Sequence, residues 1–319
     1  MGIADGDTLR LLGEYSSIYS LALAAIRSER SMVELAASNS TGNSIPYDDA
    51  YTGESDWRLL PAFDHPEEPA RCLVSGTGLT HKASVDNRQA MHVSEKTVVT
   101  DSMRMYQWGL EGGRPHPGKI GVQPEWFYKG CGAILSGHGE PLPVPQYAED
   151  GGEEPEIAGA YIVDDSGRPW RAGMTIGNEF SDHKMEKRNY LYLAPSKLRR
   201  CAIGPELIVT PDFGIVPGTV RIERGGTTIW SKAIASGEDN MCHSLENLEH
   251  HHFKYEAHRR PGDVHIHFYG AGAFSFGEGI ALLEGDIMEV AFEGFGRPLR
   301  NPLRVENGTG RLIRVTALS

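Results

Sequence analysis

Two glutamates separated by one residue open the stretch EPEIAGAY, residues 154–161. Alternate residues of a strand point to the same face, so Glu154 and Glu156 would lie side by side. Burying two like charges together is costly, and a positive charge is expected between them. Glu179 follows a second apolar run, in GMTIGNEFSDH, and offers a third carboxylate. Three converging carboxylates suit a hard divalent cation such as Mg²⁺ or Mn²⁺, whereas the alternative is a solvated strand face.

Lysine and histidine residues are the next candidates for chemistry. Lys197 lies in APSKLRRCAIGPELI, where it is either part of a solvated basic patch or, beside a metal site, a proton-transfer group. Three adjacent histidines, His250–His252, lie in a predicted helix. They are poorly arranged to bind one zinc ion, because adjacent side chains on a helix point about 100° apart. His265 and His267 share one strand face, and we expect them to be packed or pocket-lining residues.

Strand signals dominate the chain after residue 154, and the 38 glycines and 19 prolines also favour a β-rich fold. The apolar runs are EIAGAYIVDD, GRPWRAGMTIGNEFS, ELIVTPDF, GTVRIERGGTTIWSKAI, GDVHIHFYGAGAF, DIMEVAFEGFG and, at residues 310–318, GRLIRVTAL. Alternation on both sides of Gly225–Gly226 predicts a β-hairpin. Helices are predicted for residues 17–37 and 241–258, and a linker or loose subdomain for residues 38–66.

The composition and net charge of the chain exclude several classes of protein. The chain has 319 residues and a formal net charge of -12, which argues against a general binder of nucleic acid or membrane surfaces. The first residues lack the basic and apolar segments of a signal peptide, so none is expected. No apolar run approaches the ~18 residues that a membrane-spanning helix needs, so no membrane span is expected either. The four cysteines are scattered, which is typical of a cytoplasmic protein with free thiols. No nucleotide-binding or serine-hydrolase motif is present.

Six segments, in this order, resemble the fumarylacetoacetate hydrolase family, and the resemblance extends from about residue 72 onward. They are GTGLTHKASVDN at 76–87, PEWFYKG at 124–130, GHGEPLPVP at 137–145, EPEIAGAYIVDDSGRPWRAGMTIGNEFSDH at 154–183, SKLRRCAIGPELIV at 196–209 and LLEGDIMEVAFEGFGRPLRNP at 282–302. The resemblance implies that Glu154, Glu156 and Glu179 hold a divalent cation, usually Mg²⁺. Glu179 stands where most members carry aspartate, and it keeps a carboxylate ligand with one more methylene.

The resemblance also implies roles for residues around the metal. Lys197 lies close to the family's active-site lysine, and Tyr190 falls where some members contact substrate. Asp182, His183 and His81 are weaker candidates for the acid or base. The glycine-rich turn at 270–279 could wrap the substrate, because glycines let the backbone approach closely. The residues expected to bind substrate are Tyr190, Ser84, Gly272 and Ser275.

One departure from the family bears on the reaction. Hydrolytic members carry a His–Glu dyad that activates water, and here the usual histidine position holds Ser84, with Asp86 nearby and His81 displaced. This argues against C–C bond hydrolysis as the main activity. The segments GLTHKAS, PEWFYKG, GNEFSDH and HFYGAGAFSFGEG look most like the branch that dehydrates 2-keto-3-deoxypentonates to 2-oxoglutarate semialdehyde.

The resemblance implies an α+β, predominantly β fold. Residues 1–70 would form a small N-terminal domain, and residues 71–319 a catalytic domain of the family's mixed β-roll type. It also implies a small-molecule 2-keto acid substrate and a homodimer or dimer of dimers. Two other functions stay open at this point: an acylpyruvate-type C–C hydrolase or decarboxylase, and a non-catalytic protein that binds a sugar acid.

Overall fold

The computed structural model describes residues 1–82, 100–308 and 310–318. The chain begins with a three-stranded antiparallel sheet and the short helices attached to it. These elements are β1 (Gly2–Asp5), β2 (Thr8–Leu12), α1 (Ile18–Ser28), α2 (Met32–Ser38), β3 (Ser40–Pro46) and α3 (Tyr47–Thr52).

The prediction of one helix over residues 17–37 is wrong, because the segment forms two helices. Glu29 ends α1 with a left-handed backbone, at a φ of 53°. Ser31 then starts α2, and its side chain accepts a hydrogen bond from the backbone N–H of Glu34. Serines favour such capping positions, so a serine inside a periodic apolar pattern marked the break.

Residues 38–66 were expected to form a linker or a loose subdomain, and they contain regular structure instead, because β3 and α3 lie within them. Two tyrosines tie α3 to the body of the protein. The Tyr47 hydroxyl donates to Glu206 at 2.8 Å, and the Tyr51 hydroxyl donates to the carbonyl oxygen of Pro298 at 2.8 Å. The segment is therefore ordered despite its prolines and polar residues, because these long-range hydrogen bonds hold it against the rest of the protein.

The remaining elements build two larger sheets. The strands are β4 (Cys72–Gly76), β5 (Phe127–Cys131), β6 (Leu135–Ser136), β7 (Leu142–Val144), β8 (Pro155–Val163), β9 (Pro169–Asn178), β10 (Cys201–Ile203), β11 (Val216–Arg224), β12 (Thr227–Ser236), β13 (Val264–Phe268), β14 (Ile287–Phe292) and β15 (Leu299–Val305). The helices are α4 (Asp101–Gly112), α5 (His183–Arg188), α6 (Leu193–Lys197) and α7 (Leu245–Phe253).

One sheet has seven strands in the order β5-β4-β13-β8-β9-β10-β6, and the other has five in the order β12-β11-β14-β15-β7. Residues of β8 are buried at every position. Ile157 packs in the core shared with the five-stranded sheet, whereas Ala158 and Ile162 pack in the core that includes α1. A strand covered on both faces has no polar alternation, which explains the continuous apolar run of β8.

The predicted dominance of strands is confirmed, and so is the hairpin, which joins β11 to β12 through glycines with positive φ. The predicted helix at 241–258 is shorter and comprises α7 with a 3-10 turn at Glu256–His258. The strand predicted at 310–318 is absent, since that segment is exposed and unpaired. Within the part of the chain described, no helix combines the length and apolarity needed to span a bilayer.

Buried histidines on β13 and α7 form a cluster with hydrogen bonds. His267 lies with its ring nitrogens 2.8 Å from the hydroxyls of Ser75 and Thr77, and His252 Nε2 lies 3.0 Å from His265 Nδ1. Burial lowers the pKa of His265 and of His267 to about 3. These imidazoles are therefore neutral in the folded protein over the physiological range.

We predict that these histidines make the fold sensitive to acid. Their folded-state pKa lies below the unfolded value of ~6.5, so the unfolded chain binds more protons below that pH and stability falls there. Each such site contributes a slope of up to about 1.4 kcal/mol per pH unit. Urea unfolding at pH 7, 6 and 5 should give a shallower decline for His267→Gln than for the wild type. Exposed His116 supplies the control, because His116→Gln should leave the slope unchanged.

Candidate metal and catalytic site

The hairpin of β8 and β9 brings the three predicted carboxylates together. Glu156 pairs with Gly177 across the antiparallel ladder, and Glu179 follows directly after the end of β9. Ligand oxygens of Glu154, Glu156 and Glu179 lie within 4.8 Å of one another. Among the residues described, no other group of three or more acidic, histidine or cysteine side chains has that geometry.

Lys197 sits at the centre of this cluster. Its ammonium lies 2.5 Å from Glu154 Oε1, 2.7 Å from Glu179 Oε2 and 3.1 Å from the hydroxyl of Ser181. Burial alone would lower the pKa of Lys197, but the negative charges of Glu154 and Glu179 raise it above its usual value. Lys197 is therefore a cation in this arrangement, and the reading of a solvated basic patch is excluded for it.

A second buried lysine, which the sequence reasoning did not assign, supports the other side of Glu179. Lys129 on β5 is fully buried and lies 2.6 Å from Glu179 Oε1. Its ammonium also donates to the carbonyl oxygens of Phe180, at 2.7 Å, and Lys197, at 3.1 Å. A lysine inside an apolar strand was the available signal, because a fully buried lysine needs a partner.

The charges of the cluster fit a divalent cation. When Glu154, Glu156 and Glu179 are all ionised, they carry one negative charge more than the ammonium groups of Lys129 and Lys197 balance. Burial raises the pKa of Glu156 well above its usual value, and the neighbouring charges of Glu179 and Glu154 raise it further. Oxygen donors without sulfur or imidazole suit a hard cation such as Mg²⁺.

His183, at the start of α5, extends the site on the side of Glu154. Its Nε2 lies 3.2 Å from Glu154 Oε1, and its ring stacks on Phe274 with centroids 4.7 Å apart. Burial would lower the pKa of His183, but its hydrogen bond to Glu154 raises it overall. Glu186, one turn further along α5, is buried, and its Oε2 lies 4.0 Å from the ammonium of Lys197. Sequence reasoning missed Glu186, although helical spacing from His183 places both on one face.

A loop held by a buried carboxylate closes the pocket from the other side. Gly270 donates its backbone N–H to Glu156 Oε2 at 2.7 Å. Further along the loop, Ser275 donates its N–H and hydroxyl to the two oxygens of Glu153, at 2.6 and 2.9 Å. Glu153 is fully buried and was not singled out from the sequence. The residues between these two anchors include Phe274, which is thereby pressed against His183.

The pocket enclosed by these groups is small. The space among them is about 20 Å³, which is room for about one water molecule. Besides the residues already described, the walls are formed by Gly78, Leu79, Phe127 and Ala271. A molecule with several carbon atoms therefore requires the loop or the α5 side to shift outward.

Three of the other predicted site residues lie away from this lining. Asp182 caps α5 by accepting from the Met185 N–H, and it pairs with Arg199 at 3.0 Å. Gly272 lies against β12, and the Tyr190 hydroxyl donates to Glu125 at 2.8 Å. These residues position neighbouring elements, and their roles toward substrate stay predictions.

Ser275, His81 and Ser84 complete the predicted set. Ser275 does not line the pocket and uses its hydroxyl on Glu153. His81 is buried two residues from the pocket wall at Leu79, its Nδ1 lies 2.8 Å from the hydroxyl of Thr80, and burial lowers its pKa to about 4. Ser84, like Asp86, lies outside the described residues.

No protein-family model matches the chain. A curated protein of Haloferax volcanii, named "Probable 2-keto-3-deoxyxylonate dehydratase", is 29% identical over 180 residues. The match covers 54% of this chain and only 58% of that relative.

Solved structures match over nearly the whole chain. A 2-keto-3-deoxy-D-arabinonate dehydratase without ligands has a TM-score of 0.70 at 21% identity, covering 96% of this chain and 94% of that one. The same enzyme, complexed with magnesium and 2,5-dioxopentanoate, has a TM-score of 0.69. The chain has the fold of 2-keto-3-deoxyarabinonate dehydratase. These matches agree with the resemblance to sugar-acid dehydratases that the motifs predicted, and the solved structures show a common fold.

The same fold also carries other chemistry. A 5-carboxymethyl-2-hydroxymuconate delta-isomerase from Mycobacterium smegmatis matches with a TM-score of 0.53 at 20% identity, covering 85% of this chain and 88% of that one. Fold alone therefore does not decide between dehydration and isomerisation, and the residues of the site must do so.

We predict that Lys129 stabilises the protein by balancing Glu179. Lys129→Met should cost about 3–5 kcal/mol in the free energy of unfolding, because Glu179 would stay buried with one partner fewer. The double variant Lys129→Met with Glu179→Gln should recover much of that loss in urea unfolding. Equal losses in the single and double variants would contradict the pairing.

We predict that Glu153 restrains the loop through Ser275. Glu153→Gln replaces one acceptor oxygen with a donor, so at least one of the two bonds is lost. Hydrogen exchange at the Ser275 amide should accelerate about tenfold or more, since bonds to a charged acceptor contribute about 1.5–3 kcal/mol. Glu246→Gln, at an exposed position on α7, should leave the exchange unchanged.

Proposed function

We propose that the protein is a metal-dependent lyase that removes water from 2-keto-3-deoxypentonate-type sugar acids and yields 2,5-dioxopentanoate, which is 2-oxoglutarate semialdehyde. The observation that carries the proposal is the buried group of Glu154, Glu156 and Glu179 around Lys197. The structural relative complexed with magnesium and 2,5-dioxopentanoate supports both the cation and the product.

The three glutamates would hold the cation, which we take to be Mg²⁺ or Mn²⁺. When bound, such an ion supplies positive charge beside the keto oxygen of a chelated 2-keto acid and makes the C3 proton more acidic. The loop N–H groups and the Phe274–His183 stack keep bulk water away from that region.

Two side chains can carry out the proton transfers. We assign the Glu186 carboxylate to remove the C3 proton and the Lys197 ammonium to protonate the departing C4 hydroxyl, which leaves as water. The 4.0 Å separation of the two groups suits the removal of hydrogen and hydroxyl from neighbouring carbons. This step needs no activated water, in agreement with the absence of histidine at position 84.

Proton shifts then complete the product and restore both residues. The Lys197 amine takes a proton from C5, and the protonated Glu186 returns its proton to C3. The resulting enol carries a double bond between C4 and C5, and moving its hydroxyl proton to C4 gives the aldehyde. One water is lost in total, and both side chains end in their starting protonation states.

We propose further that the chain has the mixed β-roll of its structural relatives, with residues 1–70 as a small N-terminal domain. We place it in the cytoplasm, as a homodimer or dimer of dimers, with a small-molecule partner and neither nucleic acid nor a membrane as its target.

The direct test is turnover. Purified protein with Mg²⁺ should convert at least one stereoisomer of 2-keto-3-deoxypentonate to 2,5-dioxopentanoate, and EDTA should abolish the reaction. An acylpyruvate offered in parallel should not be cleaved. Release of pyruvate from the acylpyruvate alone would instead establish the C–C hydrolase, and binding of the sugar acid without turnover would establish a binding protein.

We predict that Glu186 contributes to proton transfer and not to the binding of the cation by Glu154, Glu156 and Glu179. Glu186→Gln should lower kcat by about 10²–10⁴-fold, the usual contribution of a positioned acid or base, while the affinity for Mn²⁺ changes little. Glu186→Asp should restore part of the rate. An unchanged kcat in Glu186→Gln would overturn the assignment of the base.

A further inference from the structure

Both oxygens of Glu179 are already engaged by ammonium groups of the protein. Its Oε1 lies 2.6 Å from the ammonium of Lys129 and accepts from the hydroxyl of Ser181 at 3.3 Å. Its Oε2 accepts from Lys197 at 2.7 Å. A cation that binds Glu179 must therefore share one of these oxygens with an ammonium group or take the place of that group.

Lys197 occupies the position between two of the proposed cation ligands. Its buried ammonium donates to Glu154 Oε1 at 2.5 Å as well as to Glu179 Oε2. Because Mg²⁺ lies about 2.1 Å from its ligand oxygens, an ion on either of these oxygens would be less than about 5 Å from the ammonium. The enclosed space of about 20 Å³ gives the two positive charges little distance to separate. Like charges at such a distance repel strongly where water does not screen them.

The two buried lysines differ in how they are held. Lys129 also donates to the backbone carbonyl oxygens of Phe180, at 2.7 Å, and Lys197, at 3.1 Å. Backbone acceptors cannot turn away as side chains can, so Lys129 is fixed beside Glu179. Besides the two glutamates, the Lys197 ammonium donates to the Ser181 hydroxyl, and Lys197 lines the pocket. Lys197 is therefore the ammonium that can yield to a cation.

We propose that the Lys197 ammonium and a divalent cation compete for the oxygens of Glu154 and Glu179, so that binding of the cation releases Lys197 toward the pocket. Lys197 is thus an internal counter-ion of the carboxylates, and the cation replaces it in that role. Release frees the N–H donors of Lys197 for a bound substrate. The inference rests on the proposed cation site, and it holds whichever reaction the site catalyses.

The first experiment measures Mn²⁺ affinity by calorimetry. Lys197→Met removes the competing charge with little change in volume, so it should bind Mn²⁺ at least about tenfold more tightly than the wild type. Lys129→Met removes an equally buried charge that forms no ion pair with Glu154, and its affinity should change less. Lys184→Met, at an exposed position on α5, is the control for net charge and should bind as the wild type does.

The outcomes separate this inference from the cation site itself. Equal affinity in the wild type and in Lys197→Met, or an equal gain in Lys129→Met, would overturn the competition and leave the cation site in place. Binding of Mn²⁺ by Lys197→Met alone would support the competition in its strongest form. No binding by the wild type or by any variant would overturn the cation site and this inference with it.

A measurement on the wild type remains decisive if Lys197→Met does not fold. Ammonium groups in buried ion pairs are protected from exchange with water, so EDTA-treated protein labelled with ¹⁵N-lysine should show protected NMR signals for Lys129 and Lys197. Saturation with Mg²⁺ should abolish the protection of Lys197 and preserve that of Lys129. A Lys197 signal that is unprotected before Mg²⁺ is added, or that stays protected at saturation, would overturn the proposal.

Discussion

The mutual repulsion of three buried carboxylates is the constraint on which this structure depends. Glu154, Glu156 and Glu179 converge where water cannot screen them, so each needs a positive partner. Lys197 bridges two of them, and Lys129 holds the outer oxygen of Glu179. Oxygen ligands of the three carboxylates lie within 4.8 Å of one another, an arrangement that could hold a divalent cation, and the ammonium of Lys197 lies within the same group.

The rest of the fold supplies the rigidity that this arrangement requires. β8 carries Glu156, Glu154 directly precedes β8 and Glu179 directly follows β9, and the two strands are paired along nearly their whole length, with β8 covered on both faces. A loop and a short helix then close the site, through the contact of Ser275 with Glu153 and the stacking of Phe274 on His183. The sheet therefore fixes the positions of the carboxylates, and the loop and the short helix form the cover over a cavity of about 20 Å³.

Much of the site could be predicted from sequence, because it depends on short-range patterns. The spacing of Glu154 and Glu156 on an apolar strand predicted their common face, and family motifs placed Glu179 and Lys197. The residues that sequence reasoning missed act through long-range contacts. Lys129 is 50 residues from Glu179, and Glu153 is 122 residues from Ser275. No local pattern reports such pairs, and the composition of the motif around Lys129 only hinted at an unusual buried charge.

The errors in the fold have two different origins. The 17–37 segment has continuous helical periodicity, yet a serine cap divides it at Ser31. Residues 310–318 have the composition of a strand, yet they pair with no strand among the residues that the structure describes. The first error overlooked a local capping signal, whereas in the second the composition of a strand was not sufficient without a neighbouring strand to pair with.

The central claim is that the three glutamates form one divalent-cation site, and binding of Mn²⁺ measured by calorimetry tests it most directly. The account predicts one site per chain in the wild type, a loss of at least about 100-fold in affinity for Glu156→Gln, and competition by Mg²⁺. Glu246→Gln, on the exposed face of α7, should bind as the wild type does. Equal Mn²⁺ affinity in the wild type and in Glu156→Gln would contradict the account.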